Sequence, residues 1–249
     1  MKNHRKTSFM ARPSDRYDGI ILQVRKTGQH HVLSVFTKQE GLISILMRSS
    51  RKGKQGFGAL MALSTITFDA VRQGDVYTLS EYDCQSNKAM RELTLDNYVY
   101  SQLFVEMVRA LVPPAEPDND VYRLLHIYTK MIAEKPLRLV TLIAGWQLIG
   151  LAGFAPDVDT VRLFRGYADG EVVYYLGDDE TLQMEELQLT PALRHDWQAM
   201  MNYAWGQEGI VHFTSTNVTL LEHLLYQYVE QCSERKLQSL TLWRQLKNT

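Results

Sequence analysis

The stretch GLISILMRSSRKGKQGFG, residues 41–58, decides the fold of the first part of this 249-residue chain. Its apolar run, residues 42–47, has the length and composition of a buried β-strand. Directly after that strand comes a Gly- and Ser-rich loop that carries the cations Arg48, Arg51, Lys52 and Lys54. Such a loop can be an ordinary solvated turn. It can also bind a phosphate chain, because its backbone amides and its cations both suit phosphate.

Five short strands are predicted around this stretch. In the fourth strand Ile66, Phe68 and Ala70 alternate with polar residues, which is the period of a half-buried strand. Gly41 ends a tight hairpin turn, where glycine takes positive φ without steric cost. Five strands with a small insertion between the third and the fourth predict a closed barrel. Our specific assignment is an OB-fold, although an SH3-like barrel has the same number of strands. The predicted strands are residues 17–25, 32–37, 42–47, 64–72 and 76–82.

The rest of the chain is predicted to be mostly helical. Thr94 is a suitable N-cap for the first helix, and Pro113 and Pro114 end that helix. The third helix is apolar on nearly all sides, which predicts a place at the centre of a helical bundle. Residues 155–190 are the least regular part, where segments 161–164 and 171–176 are expected to pair as a hairpin. The predicted helices are residues 95–112, 117–136, 137–151, 191–204 and 216–232, with a short amphipathic helix at the end of the chain.

These elements predict an α+β protein in which charge is unevenly distributed. The expected parts are a basic flexible arm at residues 1–16, a five-stranded OB-fold β-barrel at 17–83 and an α-helical domain at 84–249. The net charge is −1, but residues 1–54 carry +9 and the remainder carries −10. A basic N-terminal segment followed by an acidic remainder indicates a polyanion partner for the N-terminal end. The cations expected to face it are Arg25, Lys26, Lys38, Arg48, Arg51, Lys52 and Lys54, with Lys2, Arg5, Lys6 and Arg12 of the arm.

Catalytic and metal-binding patterns are missing from the sequence. It has no phosphate-binding Gly-x4-Gly-Lys-Ser/Thr loop and no His-Glu-x-x-His helix. His30 and His31 are neighbours in a predicted strand and therefore face opposite sides. The apolar window at residues 139–155 is too short and too interrupted to span a membrane comfortably. We therefore expect a protein that is not an enzyme and has no cofactor, no metal and no membrane segment.

Aromatic side chains accompany the cations of the predicted barrel. Single-strand binding proteins combine a cationic groove with rings on which bases stack. Phe36, Phe68 and Tyr77 occupy positions that we expect to face the barrel interior. Phe57 lies on the Gly-rich loop and is the best candidate for stacking on a base, although it could also be a hydrophobic lid on the barrel.

Four segments of the chain resemble the RecO family of bacterial recombination mediators. Residues 19–54, which begin GIILQVRKTG, and residues 57–83, which begin FGALMALS, resemble the N-terminal OB-fold of that family. LIGLAGFAPDVD, residues 148–159, resembles its helix end and the Pro-Asp turn that follows. ERKLQSLTLWRQL, residues 234–246, resembles its closing helix. The order and the spacing are similar over nearly the whole chain from Asp18.

Resemblance to RecO implies a non-catalytic mediator of DNA repair and homologous recombination in the bacterial cytoplasm, associated with the nucleoid. It implies binding of single- and double-stranded DNA, strand annealing, and contacts with the single-strand DNA-binding protein SSB and with RecR. With RecR, such a protein helps to load RecA onto SSB-coated DNA. The SSB tail is acidic and ends in an apolar residue, so its site needs a cation beside an apolar pocket. The candidate cations are Arg109, Arg123, Lys130 and Arg138.

One departure from the family concerns zinc. Many RecO proteins carry a four-cysteine zinc site just after the Pro-Asp turn, but residues 160–166 here contain no cysteine. Cys84 and Cys232 cannot supply four ligands at the spacing of a structural zinc site. We therefore expect the insertion at residues 155–190 to be a degenerate zinc finger without metal. Packing should hold it instead, through Leu163, Phe164, Val173, Tyr174 and Tyr175.

A second class of function fits the same residues. A non-catalytic adaptor could use its basic barrel to dock an acidic protein instead of DNA. Binding to an oligonucleotide at physiological salt separates the two hypotheses, because an adaptor of this kind would show none.

Overall fold

The structure is a computed structural model that describes residues 14–48, 60–168, 170–177, 184–206 and 212–247. Its chain divides into two compact units, Met1–Ser86 and Asn87–Thr249.

The first unit is a closed five-stranded barrel. The strands follow the order β1-β2-β3-β5-β4, and all neighbours are antiparallel except β3 and β5, which run parallel. This architecture confirms the predicted OB-fold. The strands are β1 (Asp15–Thr27), β2 (His30–Thr37), β3 (Gly41–Arg48), β4 (Thr65–Gln73) and β5 (Val76–Gln85).

The barrel interior is filled by alternate residues of the five strands. Ile66, Phe68 and Ala70 point inward as predicted, and all three are buried. Phe36 was expected to point inward, and this was wrong. Its neighbour Val35 belongs to the interior cluster, so alternation places Phe36 on the outer face of β2, where it is nevertheless fully buried. Burial on that outer face could not be inferred from a period of two alone.

Two turns shape the ends of the barrel. Gly41 has φ 65° and closes the β2–β3 turn, as the sequence predicts. The side chain of Thr37 stabilises this turn. Its hydroxyl donates to the carbonyl of Gly41 at 3.1 Å and accepts from the amide of Glu40 at 3.0 Å. Gly28 has φ 59° and closes the β1–β2 turn at the other end of β2.

The second unit is a helical bundle built around α3, which the sequence predicts at its observed bounds. α3 contacts α1, α2, α4 and α5, and Gly145 lets it approach Leu225 closely. Thr94 caps α1 by accepting from the amide of Asn97, as predicted. The helices are α1 (Leu95–Leu111), α2 (Asn119–Met131), α3 (Leu137–Leu151), α4 (Pro191–Met201), α5 (Ser215–Ser233) and α6 (Gln238–Lys247), and a 3-10 turn not predicted from the sequence covers Lys88–Arg91.

The insertion forms a small sheet in the order β7-β6-β8, with strands β6 (Leu163–Ala168), β7 (Glu171–Leu176) and β8 (Glu185–Leu187). The hairpin of β6 and β7 was predicted, whereas β8 was missed because a three-residue strand has no readable period. Leu163 and Phe164 are buried as expected, and the expected residues of β7 are half-buried.

Two glutamines of α5 hold the outer edge of this sheet. The Gln227 side chain accepts from the amide of Tyr174 and donates to the carbonyl of Val172. The Gln231 side chain donates to the carbonyl of Leu176 at 2.7 Å and accepts from its amide at 3.4 Å. These side-chain amides satisfy peptide groups that an edge strand otherwise leaves open.

The described residues contain neither a membrane-spanning helix nor a cluster of metal-binding side chains. Within those ranges no helix is long and apolar enough to cross a membrane. No group of three or more His, Cys, Asp or Glu side chains in the same part of the chain could hold a metal ion.

Candidate nucleic-acid interface

Three of the predicted DNA-facing cations meet at one end of the barrel, which we call the basic end: Arg25, Lys26 and Arg48. In the strand register Arg25 stands opposite Val32, and Thr27 opposite His30, which in turn pairs with Arg48. Residues that pair across strands share a face, and so do residues two apart on one strand, such as Arg25 and Thr27. Arg25 and Arg48 therefore both lie on the outer face of the sheet, in rows about 7 Å apart. Lys26 points to the other side at the open end of the barrel. All three side chains are exposed, and none has an acidic partner within 4.0 Å among the described residues.

Lys38 lies at the opposite end of the barrel. Seven residues of β2 at about 3.3 Å each place it roughly 23 Å from the basic end. Its amide donates to the carbonyl of Asp18 at 2.9 Å, and Glu40 follows two residues later. Lys38 therefore does not extend the surface made by the other three cations.

Histidines complete the basic end, and the sequence reasoning did not assign them to it. His30 stands opposite Arg48, and His31 stands opposite Lys26. The two rings face opposite sides of the sheet, as the sequence predicts, so they do not share one metal. The signal that could have assigned them was their place next to the Gly28 turn, directly across from Lys26 and Thr27.

Several predicted contacts lie outside the described residues. They are Arg51, Lys52, Lys54 and Phe57 of the loop after β3, and Lys2, Arg5, Lys6 and Arg12 of the N-terminal arm.

The four cations proposed for the SSB tail do not form one cluster. Arg138 on α3 donates from Nε and Nη2 to the fully buried carboxylate of Glu222 at 2.6–3.2 Å. The carbonyl of Arg109, near the end of α1, accepts from Arg235. Arg123 and Lys130 are seven residues apart on α2 and therefore share one exposed face.

Arg123 borders an apolar groove of the helical unit. The groove has a volume of about 620 Å³ and lies between α2, α3 and the segment after α4. Trp146 lines it, and Trp205 lies at its wall with its indole N–H donating to Gln147 at 2.6 Å. Arg123 is exposed and pairs with Asp120 at 2.8 Å. An exposed pair of this kind is weak, so Arg123 can exchange Asp120 for another carboxylate at little cost.

Both cysteine thiols are shifted toward the protonated form by burial. Burial raises the pKa of the Cys84 thiol to about 11. Burial also raises the pKa of Cys232, although a hydrogen bond with Tyr228 works in the other direction. Both thiols therefore stay protonated at neutral pH and are weak nucleophiles, because the thiolate is the reactive form.

Comparison with known proteins assigns both units. Residues 10–87 match the family model described as recombination protein O N terminal. Residues 92–241 match the model described as recombination protein O C terminal. This chain belongs to the RecO family. The two matched regions meet at the boundary between the barrel and the helical bundle, so each RecO model corresponds to one structural unit.

Curated RecO proteins are similar along most of the chain. The DNA repair protein RecO of Cyanothece sp. is 24% identical over 227 residues, which cover 83% of this chain and 76% of that protein. The DNA repair protein RecO of Pelotomaculum thermopropionicum is 19% identical over 231 residues, which cover 89% and 90%. The DNA repair protein RecO of Rubrobacter xylanophilus is 27% identical over 162 residues, which cover 63% and 64%.

Proposed function

We propose that this chain is a mediator of DNA repair and homologous recombination that binds single- and double-stranded DNA through the basic end of its barrel. The observation that carries the proposal is the exposed group of Arg25, Lys26 and Arg48 on β1 and β3, the two strands that flank β2 in an OB-fold. OB-folds bind nucleic acids along the face of their second and third strands and at neighbouring loops. Membership of a family whose relatives are named DNA repair proteins supports the same reading.

The finer parts of the proposal follow the family. The protein promotes annealing of complementary strands and, with RecR, helps to load RecA onto SSB-coated single-stranded DNA. It acts by binding, without a catalytic step, in the cytoplasm of a bacterial cell. The cations of the arm and of the loop after β3 add phosphate contacts, and Phe57 stacks on a base.

The groove beside Arg123 is our proposed site for the acidic tail of SSB. An acidic peptide with an apolar last residue needs a cation at the rim and an apolar floor. Arg123 and Lys130 supply the cations along one face of α2, and the floor contains Leu124, Ile127 and Trp146. Arg138 is left out of this site, because its guanidinium is already bound to Glu222.

Salt-dependent binding of a fluorescent oligonucleotide tests the DNA contact. Each phosphate that a cation neutralises contributes roughly 0.7 to the slope of log affinity against log salt on single strands. Replacing Arg25, Lys26 and Arg48 by Ala should flatten the slope by about 1.5–2 units, similarly for different base sequences. Arg48→Ala alone should remove about 0.7, whereas the matched control Lys38→Ala should leave the slope unchanged.

The same titration decides between DNA and an acidic protein partner. The adaptor hypothesis is favoured by the charge of the barrel alone, and it predicts no oligonucleotide binding at physiological salt. If the triple variant instead keeps the parent's slope of log affinity against log salt, the DNA surface is not at the basic end but on the arm or on the helical unit.

Fluorescence of Trp205 tests the SSB-tail site. A peptide with the sequence of the SSB tail should change the emission of this indole, which lies at the groove wall. Charge reversal of Arg123 and Lys130 together should weaken peptide binding and leave binding of naked DNA intact. Charge reversal of Lys88 and Lys135, which are exposed and do not line the groove, is the control with the same change in net charge. Equal peptide affinity in the two double variants would place the tail site elsewhere.

A further inference from the structure

Two apolar side chains lie beside the cations of the basic end. Val32 on β2 stands opposite Leu46 on β3, and Arg25 on β1 stands opposite Val32 in the same row of the sheet. His30 and Arg48 form the neighbouring row, about 7 Å nearer to the basic end. We call Val32 and Leu46 the apolar pair.

Both side chains of the apolar pair are on the outer face of the barrel. Their chain neighbours Leu33 and Ile45 belong to the interior cluster, so strand alternation directs Val32 and Leu46 outward. Both are half-buried, which leaves apolar surface open for contact.

The outer face of the barrel is polar elsewhere. On β4 and β5 the pairs that face outward are Thr67 with Asp83 and Asp69 with Glu81. An apolar pair therefore distinguishes the face of β2 and β3, which is the face that OB-folds use to bind oligonucleotides. It is also continuous with the cations of the basic end.

Charge around the apolar pair favours an anionic ligand. From residue 19 to residue 48 the sequence has one acid, Glu40, and it lies in the β2–β3 turn at the opposite end of the barrel. Arg25 is next to Val32 across the strands, and Arg48 is two residues from Leu46. The complementary ligand is a chain with negative charges and apolar groups between them.

An unpaired nucleic-acid strand has both properties. Its phosphates bind cations, and the face of a base can rest on a nonpolar side chain. In a duplex the base faces are stacked on one another, so that only base edges and phosphates reach a protein. A duplex can therefore contact Arg25 and Arg48 but cannot place a base face on the apolar pair.

We propose that the apolar pair holds an unpaired base of single-stranded DNA and makes the basic end bind single strands more tightly than duplex. This inference rests on the proposed function and adds selectivity to it. The cations bind the phosphates of either form of DNA, whereas Val32 and Leu46 add affinity for the unpaired form alone.

The double variant V32T/L46T tests the selectivity. Threonine retains a high preference for strands but adds a hydroxyl to the contact surface. Covering roughly 40 Å² of apolar surface, the open part of one such side chain, corresponds to about a fivefold change in affinity. Affinity for a fluorescent single strand should fall at least about fivefold, and affinity for a duplex of the same length should stay within about twofold of the parent. The salt slope should not change, because no charge is removed.

Leu42 provides the matched control. It lies on the same outer face of β3 and is half-buried like Leu46, about 13 Å farther from the basic end. L42T should keep the parent's affinity for both forms of DNA. Urea unfolding checks that each variant is folded, and V32T alone, the smallest change, should weaken single-strand binding about twofold.

The outcomes separate this inference from the proposed function. Unchanged single-strand affinity in V32T/L46T, an equal loss for single strand and duplex, or an equal loss in L42T would overturn the inference and leave the DNA contact of the cations in place. A parent that binds neither form of DNA would overturn both. A parent that sediments as a dimer while V32T/L46T sediments as a monomer would identify a second copy as the occupant of this face, and would also overturn the inference.

Discussion

Removal of the Arg138 guanidinium is expected to destabilise the helical unit strongly. Glu222 is fully buried, and Arg138 holds it with donors on Nε and Nη2 at 2.6–3.2 Å. Arg138→Met keeps the apolar stem of the side chain but leaves a buried carboxylate without its counter-charge. Breaking a buried pair in this way costs about 3–5 kcal/mol. That is a large part of the roughly 5–15 kcal/mol by which domains are stable.

Replacing both partners separates the ion pair from the packing. The double variant R138M/E222M removes the buried charge as well, so it should regain most of the loss and fall within about 1 kcal/mol of the parent. Arg123→Met is the matched control, because Arg123 pairs with Asp120 on the surface. It should cost no more than about 0.5 kcal/mol.

Urea unfolding followed by tryptophan fluorescence gives the free energies, and the slope with urea must stay constant for the comparison to hold. A single variant R138M that loses less than about 1 kcal/mol would show that Glu222 finds another partner. A double variant as unstable as R138M would show that the arginine acts through its packing. If R138M destabilises the helical unit, a weaker affinity of an Arg138 variant for the SSB tail would reflect lost stability and not a lost contact with the tail.

Three further predictions concern the rest of the helical unit. Burial raises the pKa of Asp196, but hydrogen bonds from Asn217 and the Thr214 amide outweigh it and hold the pKa below its usual value. The stabilisation that Asp196 provides is therefore full above about pH 4 and is lost as pH falls through the folded-state pKa. Urea unfolding at each pH should show that D196A costs about 1–2 kcal/mol at pH 7 and less in acid. Replacing Gln227 and Gln231 by Leu should speed hydrogen exchange at the β7 amides by at least about tenfold, since the side chains pair with its edge; unchanged exchange would show that packing alone holds the sheet. The protein as purified should contain no stoichiometric zinc and melt at the same temperature with a chelator, and one zinc per chain by elemental analysis would contradict this.

Local pattern was sufficient for most of the architecture. Strands of the barrel and helix α3 were predicted within a few residues, because their apolar periods extend over at least six residues and their ends carry Gly, Pro or Thr signals. β8 has three residues and the 3-10 turn has four, too few for a period. The position of Phe36 on the outer face was missed, because its burial depends on what covers that face.

The candidate site, too, was predictable from the sequence only in part. The sequence by itself determined the family resemblance, the basic N-terminal charge, and the absence of four cysteines for zinc. Which cations stand together was decided only by the tertiary structure. Strand register brings Arg25 and Arg48 together and leaves Lys38 at the other end of the barrel, while helix packing commits Arg138 to Glu222. The physical reason is that charge and periodicity are carried by neighbours along the chain, whereas strand pairing and a buried counter-charge join residues far apart in sequence, up to 84 positions for Arg138 and Glu222.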